Sequence, residues 1–439
     1  MRINVVDAPC GYGKTSWAIE YMSEMSIESH SFIYITPFLS EIDRVKGAVR
    51  NREFYSPANK KGETKMDDLH KLLGEGKDIC ATHSLFQMAN AETKELLRIN
   101  NYTLLLDEVM NVIDQVPLKK DDIDLLMNAS VIDIKQNDNG IEFVEWNNEK
   151  KHYDTEYNKI KKLALTGNLL YVNRSALMWR FPIEVFKSFH DVFIMTYFFK
   201  GQLQKAYYDL YDVKYNYFSV RLTQDGYKLV PYVRRERQDK EHLSSLVNIY
   251  QGPLNKVGDK PFSLSKSWLE KQNNKDKIST LRRNVYNYLM NQCKANLSTT
   301  MWTTVIGGER ETIKKKVSPK SYKKAFVSMT ERATNQYREK KHLAYLVNRY
   351  MNPIHKKFFE QYGVSIDEKT WALSELIQWV WRSQIRDRKR IELYIPSKRM
   401  RQLLEDYLTS DSYEDAPVEA EVDNYPTDWH LEYLGEDSA

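Results

Sequence analysis

The sequence predicts an α/β protein built from two parallel-sheet units, with a small β-hairpin insertion and an acidic C-terminal tail. Three observations predict this class. Short apolar runs alternate with helical patterns over residues 1–200, the alternation restarts near residue 281, and the composition changes sharply at residue 411. Strands covered on both faces by crossover helices become continuous apolar runs, which is how these segments read.

The first unit, 1–200, opens with INVVDA and passes into TSWAIEYMSEM, whose apolar positions recur at helical spacing. SFIYITP follows, then a helix from about Ser40, then DICATHS and YTLLLDEV. Residues 130–146 break the pattern, because VIDIKQNDNGIEFVEW sets two alternating runs around Asn139-Gly140. These residue types accept the positive φ of a tight hairpin, so the segment reads as an insertion. DVFIMTYFF closes the first sheet near residue 199. Residues 201–280 read as a connecting and accessory region carrying the mixed strands YNYFSVRL and GYKLVPYV. The second unit, 281–410, comprises a helix near 282–294, the runs STTMWTTVI and KKAFVSM, and a helix near 341–350. A helix ending in ELIQWVWRSQIR, the run IELYIP and the helix SKRMRQLLEDYL complete it.

A length of 439 residues exceeds one ordinary core, which agrees with two units. With 42% hydrophobic and 28% charged residues, wholesale disorder is excluded. No run approaches the roughly 18 apolar residues of a membrane span, and the amino terminus has no signal-peptide core, so a cytoplasmic location is expected. Cys10, Cys80 and Cys293 lack CxxC spacing, which fits a reducing compartment and argues against a disulfide framework or zinc ribbon. The net charge of +5 conceals a division: residues 411–439 hold ten acids and no Lys or Arg. The rest keeps all 65 basic residues against 50 of the 60 acids, a formal +15 that attracts polyanions. The tail reads as a solubilising end, or as a nucleic-acid mimic or dock for a protein partner, with Trp429 and Tyr433 available to it.

Chemistry concentrates first in Ala8-Pro9-Cys10-Gly11-Tyr12-Gly13-Lys14-Thr15, a P-loop pattern with Ala in place of the first glycine. It lies between an apolar strand and an amphipathic helix, the setting the motif requires. Backbone N–H groups around Gly11 and Gly13 would wrap a phosphate, Lys14 would meet the β- and γ-phosphates, and Thr15 would ligate magnesium. The candidate ATP-binding residues are therefore Pro9, Cys10, Gly11, Tyr12, Gly13, Lys14, Thr15 and Ser16. The plain alternative is a glycine turn that ends a strand. Leu104, Leu105 and Leu106 then run into Asp107 and Glu108, carboxylates at a strand end, where α/β sheets bind ligands. Asp107 would hold the magnesium and Glu108 would orient or deprotonate a water. Finally, Gln378, Arg382 and Arg386 recur every four residues, which predicts one basic helical face able to act as an arginine finger.

Taken in this order, the motifs resemble those of superfamily two helicases, the DEAD/DEAH-like group with two RecA-like lobes, over most of residues 1–405. Ala8 to Thr15 resembles motif I, Asp107-Glu108-Val109-Met110 the DEAD box, and Gln378 to Arg386 the last arginine motif. Thr36-Pro37 resembles motif Ia, Thr82-His83 the next strand-end motif, and Thr196 the coupling motif, with Thr166-Gly167-Asn168 as a rival. MWTT, with Thr303, resembles motif IV, and Arg332-Ala333-Thr334-Asn335 resembles motif V. The resemblance implies nucleic-acid contacts at Thr36, Pro37, Thr82, His83, Thr196, Thr303, Arg332 and Asn335, with DNA the expected partner. Three departures stand out: Met110 occupies the fourth DEAD position, Arg382 and Arg386 are four apart rather than three, and seven residues before Ala8 leave no room for an adenine-reading glutamine motif. The combination is similar to helicase-type ATPases of bacteriophages.

The implied activity is ATP hydrolysis with magnesium between two lobes, moving the protein along or remodelling nucleic acid. Further basic candidates are Arg234, Arg235 and Arg237, and the cluster Lys314, Lys315, Lys316, Lys320, Lys323 and Lys324, with Tyr232 and Tyr322 for base stacking. The same residues also fit two alternatives, a terminase-like DNA-packaging ATPase and a nucleotide-dependent clamp that does not hydrolyse.

Overall fold

The computed structural model describes residues 2–9, 11–28, 30–232, 237–308, 310–329 and 336–409, with residues 237–241 described by backbone only. Cys10, Arg234, Arg235, the side chain of Arg237, the motif Arg332 to Asn335 and the acidic tail lie outside the described residues.

In chain order the strands are β1 (Arg2–Asp7), β2 (Ser31–Thr36), β3 (Phe54–Tyr55), β4 (Asp78–Thr82), β5 (Tyr102–Asp107), β6 (Ile113–Val116), β7 (Ile132–Gln136), β8 (Glu142–Trp146) and β9 (Leu169–Val172). They continue as β10 (Ala176–Arg180), β11 (Asp191–Thr196), β12 (Asn216–Thr223), β13 (Gly226–Pro231), β14 (Val247–Ile249), β15 (Thr300–Thr303), β16 (His342–Tyr345) and β17 (Ile391–Tyr394). Among the described residues they form three sheets. The first has the order β13-β12-β1-β11-β5-β2-β4-β3, parallel throughout except for the edge strand β13. The second, β6-β10-β9-β8-β7, is antiparallel. The third, β14-β17-β16-β15, is parallel. The molecule is thus a mixed α/β protein with two parallel-sheet lobes.

Several expectations are corrected. The hairpin at 130–146 supplies only β7 and β8 of a five-stranded sheet, because β9 pairs with β8, β10 with β9, and β6 with β10. Residues 201–280 do not form a separate connecting region: β12 and β13 extend the first sheet, and β14 joins the third. The helix expected at 341–350 is strand β16, since HLAYLV is a fully buried run whose periodicity does not separate strand from helix. KKAFVSM forms a 3₁₀ turn at Lys323–Ala325 and one bridge from Trp302 to Phe326 instead of a strand.

Parallel pairing aligns the C-terminal ends of the first sheet. Asp7 pairs with Thr196, Met195 with Asp107, and Thr36 with Thr82, which places polar strand ends along one crevice. The lobes also exchange side chains. Phe358 and Phe359, on the helix Pro353–Gln361, are buried among the first lobe's Tyr207, Tyr208 and Phe186, while Tyr197 and Phe198 are buried among second-lobe residues such as Leu376 and Leu404. Where the helix Glu368–Val380 crosses Gly201, a β-carbon on the glycine would stand 2.8 Å from the Thr370 carbonyl oxygen, so only glycine permits the approach. No helix of the described residues is long and apolar enough to cross a membrane.

Candidate functional site

The glycine loop follows β1 and delivers the chain to the helix Lys14–Glu24. Gly11 and Gly13 both have φ 89, a left-handed backbone that glycine adopts without steric cost, and Gly13 caps the helix. Helix N-termini leave their first N–H groups without intrahelical partners, which is what makes them anion sites, and here the glycine loop leads into one. The Lys14 ammonium is buried and donates to the carbonyls of Ala8 and Pro9, the latter at 3.1 Å.

The carboxylates come from β5 and the residue after it. Asp107 is 6% exposed and accepts a hydrogen bond from Thr36 Oγ1 at 3.3 Å. Burial, and then the charges of Glu108 and Glu41, push its carboxyl pKa up to about 7, with Lys14 opposing. Glu108 adopts φ 67, held by its N–H donating to the Met195 carbonyl at 2.8 Å, and its carboxylate accepts from Thr196 Oγ1 at 3.3 Å. His83 Nε2 donates to the Asp107 carbonyl at 3.1 Å. Asp7, at the end of β1, accepts from the N–H groups of Phe198 and Phe199, both at 2.8 Å, and so fixes the turn after β11.

The second lobe closes the site. The helix Glu368–Val380 ends before Arg382, and Arg386 sits on a separate 3₁₀ turn, Gln384–Asp387, so the three residues do not share one helical face as expected. They nevertheless reach the same cavity. Gln378 Nε2 donates to the Tyr197 carbonyl at 3.4 Å across the lobe boundary. Arg382 is 5% exposed and donates to the carbonyls of Ser328 (3.1 Å) and Met329 (3.2 Å). The Arg386 carbonyl lies 3.5 Å from where a β-carbon on Gly11 would be. Arg338 pairs with Asp387 through both carboxylate oxygens, which holds the Asp387 carboxyl below its usual range.

A cavity of about 350 Å³ is lined, among the described residues, by Gly11, Gly13, Lys14, Thr15, Ser16, Asp107, Glu108, Gln378, Arg382 and Arg386. Pro9 and Tyr12 belong to the loop but do not line it. Glu41, Arg44, Tyr227, Arg338, Trp381 and Asp387 also line the cavity, and none of them is among the candidate site residues named above. Glu41 pairs with Arg44 at 2.5 Å, and burial raises its carboxyl pKa. Asp7 carried a signal, an acid ending an apolar strand as Asp107 does. The others reach the cavity by tertiary packing and carried none.

Three of the eight residues expected at nucleic acid are buried. Thr36 and Thr196 are fully buried, with their hydroxyls directed to Asp107 and Glu108, so they position the carboxylates rather than face a strand. Thr303 is fully buried at the end of β15. Tyr322, expected to stack a base, is 2% exposed and donates to the Ala295 carbonyl at 2.6 Å. Pro37, Thr82 and His83 are partly exposed, and Thr82 and Ser84 share a hydrogen bond of 3.0 Å. Tyr232 packs edge-on against Tyr217, while Lys315, Lys316, Lys320, Lys323 and Lys324 are exposed and Lys314 covers the Phe326 ring.

Fold and site together define a two-lobed α/β protein in which a glycine loop, strand-end carboxylates and second-lobe arginines share one cavity. The chain belongs to the YonV family: it is 41% identical over 417 residues to the SPbeta prophage-derived uncharacterized protein YonV of Bacillus subtilis (strain 168), covering 93% of this chain and 98% of that protein. The YonV C-terminal Rossmann-like domain matches residues 241–408, and the YonV middle domain matches 113–179, the span of the antiparallel sheet. Among solved structures, an XPD in its apo form aligns over 92% of this chain and 95% of its own, with a TM-score of 0.49 and 12% identity. Xpd4 of S. tokodaii aligns over 94% and 95% (TM-score 0.48, 11% identity), and the DUF1998 helicase MrfA, bound to DNA and AMPPNP, over 93% and 48% (TM-score 0.35, 10% identity).

Proposed function

We propose that the chain is an ATP-driven nucleic-acid motor, a helicase or translocase of the superfamily two type that works on DNA in the host cytoplasm, in phage replication or recombination. One observation carries the reading: groups from both lobes line a single cavity around a phosphate-binding loop. A glycine turn that merely ended a strand would have no reason to meet carboxylates on one side and arginines on the other. The prophage origin of the 41% identical relative agrees with a phage role.

In this reading the triphosphate rests on the loop N–H groups, and the Lys14 ammonium turns from the Ala8 and Pro9 carbonyls to the β- and γ-phosphates. Glu108 takes a proton from water as the water oxygen bonds to the γ-phosphorus and the bond to the bridging oxygen breaks, leaving ADP and phosphate. Arg386, beside Gly11, is the finger on the γ-phosphate. Arg382 links the site to residues 328 and 329, directly before the segment that resembles motif V. Magnesium would be held by Thr15 and Asp107. The fit is chemical: a hydroxyl and carboxylates offer the oxygen donors a hard cation takes, and Asp107 lies near the charges of Glu108 and Glu41. When bound, it supplies positive charge against the phosphates.

The test is ATP turnover measured alone and with single-stranded, double-stranded and forked DNA and with RNA. We expect single-stranded DNA to raise the rate and Lys14→Ala to abolish it. Wild-type turnover in Lys14→Ala would remove the loop assignment, and ATP binding without turnover would favour the clamp.

A further inference from the structure

We propose that Tyr227 is the platform on which the base of the nucleotide stacks, so that the site holds bases by their faces and discriminates weakly among them. This rests on the nucleotide reading above and adds the part of the ligand that the loop and carboxylates leave unaddressed.

The argument begins with placement. β12 lies beside β1, and β13 folds back against it, which carries residue 227 over the glycine loop. The ring edge is set directly on Gly13: a β-carbon there would fall 2.0 Å from Tyr227 Cε1 and 2.5 Å from Cδ1. Glycine at position 13 is therefore required twice, by its φ of 89 and by this ring. The strand is also clamped to the helix that starts at Lys14. The Tyr227 N–H donates to Glu20 Oε2 at 2.7 Å, and a β-carbon on Gly226 would stand 2.7 Å from the same oxygen. The strand that carries the ring is thus fastened to the helix that begins at the loop.

Chemistry then selects the role. Charged groups dominate the remaining cavity wall and suit a triphosphate, whereas a base needs a flat apolar surface. Two aromatic residues line the cavity among the described residues, and Trp381 is 2% exposed, which leaves the half-exposed Tyr227. Stacking tolerates any base because each has a π-face.

The experiment measures binding of ATP, GTP, CTP and inorganic tripolyphosphate to the wild type and to Tyr227→Ala, Tyr227→Phe and Tyr227→Trp, with Lys14→Ala as the loop control. Tyr227→Ala should weaken ATP and GTP by about tenfold or more, while the Phe and Trp variants stay within about threefold. Tripolyphosphate, having no base, should bind all three Tyr227 variants as it binds the wild type. The Tyr227→Trp fluorescence should be quenched by ATP and not by tripolyphosphate. Unchanged ATP affinity in Tyr227→Ala would overturn the proposal, as would an equal loss of tripolyphosphate, which would mean that the ring only supports the loop. A wild type that binds neither ATP nor tripolyphosphate would instead sink the nucleotide reading, and this inference with it.

Discussion

Glu108 stands in a left-handed backbone, φ 67, which costs a residue with a β-carbon about 1–3 kcal/mol and persists only where its surroundings enforce it. Here the Met195 carbonyl and Thr196 hydroxyl do so, and they aim the carboxylate into the cavity. If Glu108 is the base, Glu108→Gln should keep ATP affinity while turnover falls by about 10² or more, read by comparing equilibrium binding with steady-state rate. The two arginines should separate. Arg386→Ala should slow turnover by about 10³ even when nucleic acid is saturating. Arg382→Ala should chiefly weaken stimulation by nucleic acid, because its guanidinium engages the Ser328 and Met329 carbonyls. Reversed phenotypes would exchange the assignments. The loop from Gly11 to Thr15 was legible in the sequence because its chemistry is contiguous. Glu41, Arg44, Tyr227 and Arg338 were not, because each arrives from a different element and nothing local marks it.

At the scale of elements, the sequence conveys strand-helix alternation well in the first lobe, including the fully buried β5 and β11, and less well in the second. HLAYLV fits a helix as well as the strand β16 that it forms, because it offers no period to distinguish the two. The four-residue spacing of Gln378, Arg382 and Arg386 suggested one helix, yet the helix stops at Val380 and a 3₁₀ turn carries Arg386 to Gly11. Pairing partners were equally hidden, since the five strands of the middle sheet are spread over residues 113–180 with a loop and helix between β8 and β9. The helix Pro353–Gln361 joins the lobes through Phe358, which is 1% exposed. Phe358→Ala should lower unfolding stability by about 3–5 kcal/mol in denaturant titration, through lost burial and the cavity left behind. An effect below about 1 kcal/mol would show that the site collapses or that the helix docks weakly.

For the whole molecule, the division of charge sets the expected partner and its behaviour in salt. With +15 on residues 1–410, binding to single-stranded DNA should weaken steeply as salt rises, with log affinity falling linearly against log salt. A salt-independent affinity would point away from phosphate contacts. The interlocked interior has a consequence of another kind, in how the protein is made. Phe358 and Phe359 belong to the first lobe's packing, so that lobe's interior stays incomplete until translation has passed residue 359. A ribosome stalled before that point would carry a nascent chain with a fully written glycine loop and an unfinished fold around it. Separately expressed halves should likewise need each other in the same cell to escape aggregation.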